Sequence, residues 1–308
     1  MRTKRWGLCL AVLLALHAGA SAAAPTGYAS AFEGLYQVDL ATGDASRIGV
    51  YGSLGANAIR DIEGLTFLPD GNIVGVSDAN KALFRFAVGN SRAAFLANLA
   101  QELRGFTALD IGLAAGCDGT LYVSSDAQRK LWRLSQDGSA IFIADLPAAI
   151  SGLAFRNDFL YGIAIASPNV QAQGLYRIDP ATGQSTLLGN FTTPRAIQDA
   201  GLDFSADGRL WATFDYNPPA TGNIVDYSDI AQLDPETGAL LSRTTVRGIP
   251  EGSDFEGLAI AAPVCQGPDG TPPPASSLPV PAGSTTTWLA LVLGFLALAG
   301  TTLRRFAR

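Results

Sequence analysis

Six carboxylates stand just before a recurring Gly-Leu dipeptide. They are Asp61 and Glu63 in RDIEGL, Asp110 in ALDIGL, Asp199 in QDAGL, and Asp254 and Glu256 in SDFEGL. Carboxylates brought together without basic partners either gain protons or bind a cation, and hard oxygen donors favour calcium over zinc. If the six converge, they form a candidate metal or substrate site. If they do not, they serve strand ends by accepting backbone N–H bonds. Phase separates the two outcomes. Asp61, Glu63, Asp254 and Glu256 lie three and one residues before the glycine, whereas Asp110 and Asp199 lie two before it. On a regular strand those sets point to opposite faces.

Other chemistry is excluded by residue type. The single histidine, His17, falls in an N-terminal segment that reads as a signal peptide: Arg2, Lys4 and Arg5, an uncharged run, then small residues ending at Ala22. Cleavage there leaves a mature chain without imidazole, which removes Ser-His-Asp and Cys-His catalysis and any His-ligated zinc. Cys117 and Cys265 are the only cysteines beyond residue 22. An exported pair could form one disulfide or remain two buried thiols. Between the two ends the chain carries fifteen basic residues and all 27 acids, a charge near −12. Such a body repels nucleic acid and attracts cations.

The elements that must position the acids come from an internal repeat. GLYQVDLATGDASRIG from Gly34 matches GLYRIDPATGQSTLLG from Gly174, and IAQLDPETG from Ile230 is a third copy. Weaker copies of the same strand begin at Leu83 and Leu131. A second element recurs as GLTFLPDGNIVGVSD from Gly64, GLAAGCDGTLYVSSD from Gly112, GLAFRNDFLYGIAIA from Gly152 and GLDFSADGRLWATFD from Gly201, with GLAIAAP from Gly257 as a partial fifth. The Gly-Leu anchors are 48, 40, 49 and 56 residues apart. Asp-Gly at 70, 118 and 207 suits a tight turn from first strand to second, and Thr-Gly at 42, 182 and 237 suits one from third to fourth.

Four short strands per unit of about 50 residues is a propeller blade. The reading is an all-β, five-bladed β-propeller over 23–265, with six blades as the alternative. The chain starts inside a blade near Tyr28 and ends on a first strand, Glu256 to Ala261, so the last strand is expected to complete the first blade. In a propeller the first strands line the channel, which would carry the six acids to its mouth. The recurring aromatics Tyr36, Phe84, Trp132 and Tyr176 read as inter-blade core. An insertion at 215–229 reads as a loop on one face.

Residues 266–284 are rich in Pro, Gly and Ser and read as a tether. Residues 285–303 carry no charge and would span about 28 Å as a helix, close to the roughly 30 Å bilayer core, so they read as a transmembrane helix. Arg304, Arg305 and Arg308 in the tail 304–308 place that end in the cytoplasm and the propeller outside, in the periplasm or at the cell surface. Tether, span and arginines resemble the C-terminal sorting signals of the PEP-CTERM and IPTL-CTERM class of Gram-negative bacteria. Leu278-Pro279-Val280-Pro281 stands in the place of that class's short Pro-containing motif, although it is neither Pro-Glu-Pro nor Ile-Pro-Thr-Leu. The resemblance implies an exosortase-like processing enzyme as a partner. The Asp-x-Glu-Gly-Leu pattern, present at Asp61 and Asp254, resembles that of secreted phytase-like and esterase-like propellers, which implies calcium and carboxylate chemistry.

Two functions follow. One is a membrane-anchored binding or scaffold module, calcium-stabilised, for a ligand or surface polymer the sequence does not name. The other is a metal-dependent hydrolase of an ester, lactone or phosphoester. The missing histidine and the few basic residues near the anchors, Arg60 and Arg195, favour binding.

Overall fold

A computed structural model describes residues 25–105, 110–165, 173–216, 228–250 and 253–265. The chain divides into two units, one ending at Pro263 and one beginning at Val264. Of the second only 264–265 are described. The signal-peptide segment 1–22, the tether 266–284, the span 285–303 and the tail lie outside the described residues, as do 217–227 of the insertion. No helix among the described residues is long and apolar enough to cross a membrane.

The first unit is a five-bladed propeller. Blade 1 holds β1 (Thr26–Ala31), β2 (Gly34–Asp39) and β3 (Ala45–Val50). A small hairpin, β4 (Ser53–Leu54) and β5 (Asn57–Ala58), leads to blade 2: β6 (Ile62–Phe67), β7 (Ile73–Ser77), β8 (Ala82–Phe86) and β9 (Ala94–Asn98). After a single helical turn, α1 (Gln101–Arg104), blade 3 comprises β10 (Ile111–Ala115), β11 (Leu121–Ser125), β12 (Lys130–Leu134) and β13 (Ala140–Asp145). Blade 4 comprises β14 (Ile150–Arg156), β15 (Phe159–Ala164), β16 (Gly174–Ile178) and β17 (Ser185–Asn190). Blade 5 comprises β18 (Ile197–Phe204), β19 (Leu210–Tyr216), β20 (Ser228–Leu233) and β21 (Leu240–Thr245). The last strand, β22 (Leu258–Ala259), pairs antiparallel with β1, Tyr28 opposite Ala259 and Ala29 opposite Leu258, and closes the ring as the innermost strand of blade 1.

The turns that cut each unit into four strands act as their residues dictate. Gly71, Gly119 and Gly208 take φ of 82°, 80° and 89°, a region open to glycine at no steric cost. In the Asp-x-x-Thr-Gly copies the aspartate is a built-in acceptor. Asp39 Oδ1 takes the N–H groups of Ala41 and Thr42 at 2.9 Å each, and Asp179 and Asp234 repeat the pattern. These Asx turns satisfy amides that the chain reversal would otherwise leave unpaired.

Packing lies between blades. Five apolar clusters form, and each draws on two neighbouring blades. Phe84 sits in the one between blades 1 and 2, Trp132 between 2 and 3, and Tyr36 and Trp211 between 5 and 1. Tyr36, Phe84 and Trp132 are buried, and the partly buried Tyr176 packs against the cluster of blades 3 and 4. No blade has a core of its own, so each sheet is stable only in the ring.

The Gly-Leu anchors have a further cause. At each of the five glycines an added Cβ would strike the next blade's inner strand. At Gly112 it would lie 2.1 Å from Ser151 O, at Gly201 2.5 Å from Leu258 N, and at Gly257 2.5 Å from Glu63 O. At Gly64 it would lie 2.5 Å from Leu113 Cβ, and at Gly152 2.7 Å from Ala200 O. The contacts run round the ring from blade 2 to 3, 4, 5, 1 and back to 2. The axis is closed at this level to anything as large as a water molecule. Beyond it, at the C-terminal ends of the inner strands, Thr66 Oγ1 accepts the Ala115 N–H at 3.2 Å. At the equivalent place Asp203 Oδ2 accepts the Ile260 N–H at 2.6 Å, tying β18 to the chain end that closes the ring. Cys117 and Cys265 are each disulfide-bonded.

Because the obstructing atom at Gly112 is backbone, Gly112→Ala is expected to cost about 3 kcal/mol, the upper end for overpacking. That corresponds to a Tm lower by roughly 10 °C in thermal unfolding. An unchanged Tm would mean that the inner strands do not meet at the axis.

Candidate cation site at the channel mouth

The N-terminal ends of the inner strands open on one mouth, and the ends of the second strands reach the same face. Asp61 precedes β6 and Asp110 precedes β10, while Asp78 and Asp126 follow β7 and β11. The two pairs are built alike. Asp78 N–H donates to Asp61 O at 3.1 Å, and Asp126 N–H donates to Asp110 O at 3.2 Å. Asp61 and Asp110 hold φ of 57° and 42°, a left-handed conformation that aspartate adopts more readily than most side chains. Three residues on, Lys81 and Arg129 repeat the match, with φ of 49° and 52° and N–H bonds of 3.3 Å to the carbonyls of Asp78 and Asp126.

Here the phase problem is resolved. The pairing of β6 with β7 shifts register between Ile62 and Gly64, so Glu63 is an extra residue in a β-bulge. Blade 3 has no such shift between β10 and β11. The bulge absorbs the one-residue difference and lets Asp61 and Asp110 occupy equivalent places. Asp199 likewise borders a shift in β18, between Ile197 and Asp199.

Charge links the predicted acids in overlapping groups, and each of the five with a raised carboxyl is raised first by burial. Glu63, 8% exposed, is lifted well above the usual carboxyl range by burial first, then by Asp199, Asp78, Asp110 and Glu256. Glu256 is lifted in the same way, by burial and then by Asp199, Asp61, Asp254 and Asp215. Asp61 and Asp110 are raised by burial and by Asp78. Burial pushes Asp199 to about 7 against the hydrogen bonds it accepts from Ser151 Oγ and the Ala200 N–H. Three further acids join the group: Asp78, Asp126 and Asp215, all at second-strand ends. Burial and the Asp110 charge raise Asp126 to about 8, and the two carboxyls share a hydrogen bond.

The signal for these three was present in the repeat, because the copies beginning at Gly64, Gly112 and Gly201 all end in Asp. Their alignment fixes their place in the blade but not the direction of the mouth. Blade 4, whose copy ends in IAIA, contributes no acid at these positions.

Within this group Asp61, Glu63 and Asp78 can each offer one oxygen, the three lying within 4.8 Å of one another. Glu63 Oε2 accepts the Ile111 N–H at 2.7 Å, which holds the side chain while its other oxygen takes no hydrogen bond among the described residues. Lys81 Nζ pairs with Asp78. Arg129, in Lys81's place, instead donates to Pro147 O. Arg60 and Arg195 lie over the rings of Phe32 and Tyr216.

No protein-family model and no curated protein matches this chain. Solved structures do. A chain of the nidogen/laminin complex is similar at 12% identity with TM-score 0.48, covering 77% of this chain and 98% of that one. TolB from Acinetobacter baumannii is similar at 11% identity with TM-score 0.43, covering 79% and 68%. Virginiamycin B lyase from Staphylococcus aureus is similar at 14% identity with TM-score 0.38, covering 71% and 78%.

The raised carboxyls set a pH dependence. Asp126 and Asp199 ionise near 8 and 7 in the folded chain, but near 4 when unfolded. The folded state therefore binds more protons in between, and stability is greatest at acid pH and is lost as pH rises through about 8. In cation-free buffer Tm is expected to fall from pH 5 to pH 8. Asp126→Asn, which keeps a donor toward Asp110 without the charge, is expected to raise Tm at pH 8 by about 2–4 °C and to flatten the profile. A Tm that rises toward pH 8 would contradict the assignment.

Proposed function

We propose that this protein is an exported binding module whose propeller holds a calcium ion at the channel mouth and presents it to a ligand. One observation carries the reading: Asp61, Glu63 and Asp78 converge within 4.8 Å, with Glu63 already fixed through one oxygen. Three carboxylate donors of hard oxygen suit calcium and offer little to a softer metal. A bound cation offsets the repulsion that otherwise keeps the buried acids protonated.

Export and membrane attachment through 285–303 belong to the same proposal and rest on the sequence pattern at the two ends. Hydrolysis of a phosphoester receives less support, because Arg60 and Arg195 are engaged with aromatic rings.

Calorimetric titration of the chelator-treated full chain at pH 7.5 is expected to show calcium binding and a Tm that rises with calcium. Glu63→Gln should weaken that binding at least about tenfold, the equivalent of roughly 1.4 kcal/mol. No heat and no Tm shift would eliminate the cation. With calcium present, a panel of ester, lactone and phosphoester substrates should remain unhydrolysed. Turnover that Glu63→Gln abolishes would replace binding with hydrolysis.

A further inference from the structure

Blades 2 and 3 carry the same turn after their second strands, with a basic residue three places beyond the acid: Lys81 after Asp78, Arg129 after Asp126. The two backbones match bond for bond. Each basic residue donates its N–H to the acid's carbonyl, and its own carbonyl accepts an amide from just beyond the fourth strand, Leu99 at 2.9 Å in blade 2 and Leu146 at 2.7 Å in blade 3. The side chains differ. Arg129 donates to Pro147 O, whereas the Lys81 ammonium is seated on Asp78, the two side chains 23% and 12% exposed. Asp78 is one of the three acids whose oxygens lie within 4.8 Å of one another, so the chain sets a cation of its own against the group that suits calcium.

The backbone around this pair is pinned. Ser77 Oγ donates to Arg60 O at 2.7 Å, Asn80 Oδ1 accepts the Arg60 N–H at 3.1 Å, and Asn80 Nδ2 donates to Ala58 O at 3.2 Å. These bonds tie the segment entering Asp61 to the turn that carries Asp78 and Lys81. The movable part is the lysine stem, a flexible four-carbon chain ending in a compact charge. An ammonium and a divalent ion on one partly buried carboxylate repel. The divalent ion gains three carboxylates, while the ammonium is rehydrated by swinging outward, because lysine keeps its head in water wherever its stem allows.

We propose that the Lys81 ammonium is a built-in competitor for the cation site of Asp61, Glu63 and Asp78, and that calcium enters by displacing it from Asp78. This rests on the calcium reading above and adds what regulates that site. A monovalent ion brings no more charge than the ammonium and leaves it in place, whereas a divalent ion drives it out. After loading, the amine stands in solvent. Blade 3 lacks this gate, because Arg129 is turned to Pro147 O.

The test uses the full-length chain, chelator-treated and in mild detergent at about pH 7.5. Beyond residue 22 the chain has two lysines, Lys81 and Lys130, and Lys130 pairs with Asp145 instead. An amine-reactive ester, read by peptide mass, should label Lys81 at least about threefold faster with calcium than without, with Lys130 as the unchanged internal control. In calorimetric titration Lys81→Met, which keeps the stem and removes the charge, should bind calcium about tenfold more tightly than the wild type, and Lys81→Arg should not. Calcium heat in the wild type with unchanged Lys81 labelling would overturn the gate and leave the calcium site standing. So would equal affinity in the wild type and Lys81→Met. An absence of binding heat in the wild type would remove the calcium reading and the gate together. Labelling needs no variant, so it decides the matter even if Lys81→Met does not fold.

Discussion

Everything in this propeller depends on backbone contact at its axis. Five glycines, one per inner strand, stand where no Cβ fits, and each is filled by the neighbouring strand. That contact draws the inner strands close enough to exclude water. It also gives each blade the neighbour it needs, since the apolar clusters lie between sheets and not within them. The same contact sets the spacing of the strand ends, and so compresses whatever side chains precede the glycines.

What precedes them is acid. Had the ring been wider, Asp61, Glu63, Asp199 and Glu256 would be solvated strand-end carboxylates with ordinary acidity. Held against a closed axis they lose water and feel one another, and burial outweighs every other cause of their shifts. Arg60 and Arg195 lie over the rings of Phe32 and Tyr216, and Lys81 pairs with Asp78, so burial still dominates at the mouth. Stability is therefore spent at one end of the channel, a pattern more typical of binding sites than of structural ion pairs.

Much of this could be read from the chain before folding. The period of the Gly-Leu anchors, the Asp-Gly and Thr-Gly turns and the orphan first strand at the C-terminus specify five quartets closed by the last strand, because each signal is local and repeated. The six acids were visible for the same reason. Asp78, Asp126 and Asp215 were visible only as the common ending of three repeat copies. Their role depends on where second-strand ends point, which no spacing within a strand reveals.

By itself the sequence determined the architecture, the lack of imidazole chemistry beyond residue 22 and the acidic character of the inner-strand starts. These follow from residue type and short-range period. Tertiary structure alone decided that the acids share one mouth. On straight strands Asp61 and Asp110 would point apart, and a one-residue bulge at Glu63, set by pairing with β7, brings them into equivalent places. It also decided that the twin glutamates differ: Glu63 Oε2 accepts an amide from the next blade, whereas Glu256 Oε2 has no hydrogen-bond partner among the described residues. Identical motifs cannot encode that difference, because it arises from which neighbour the closed ring sets beside each one.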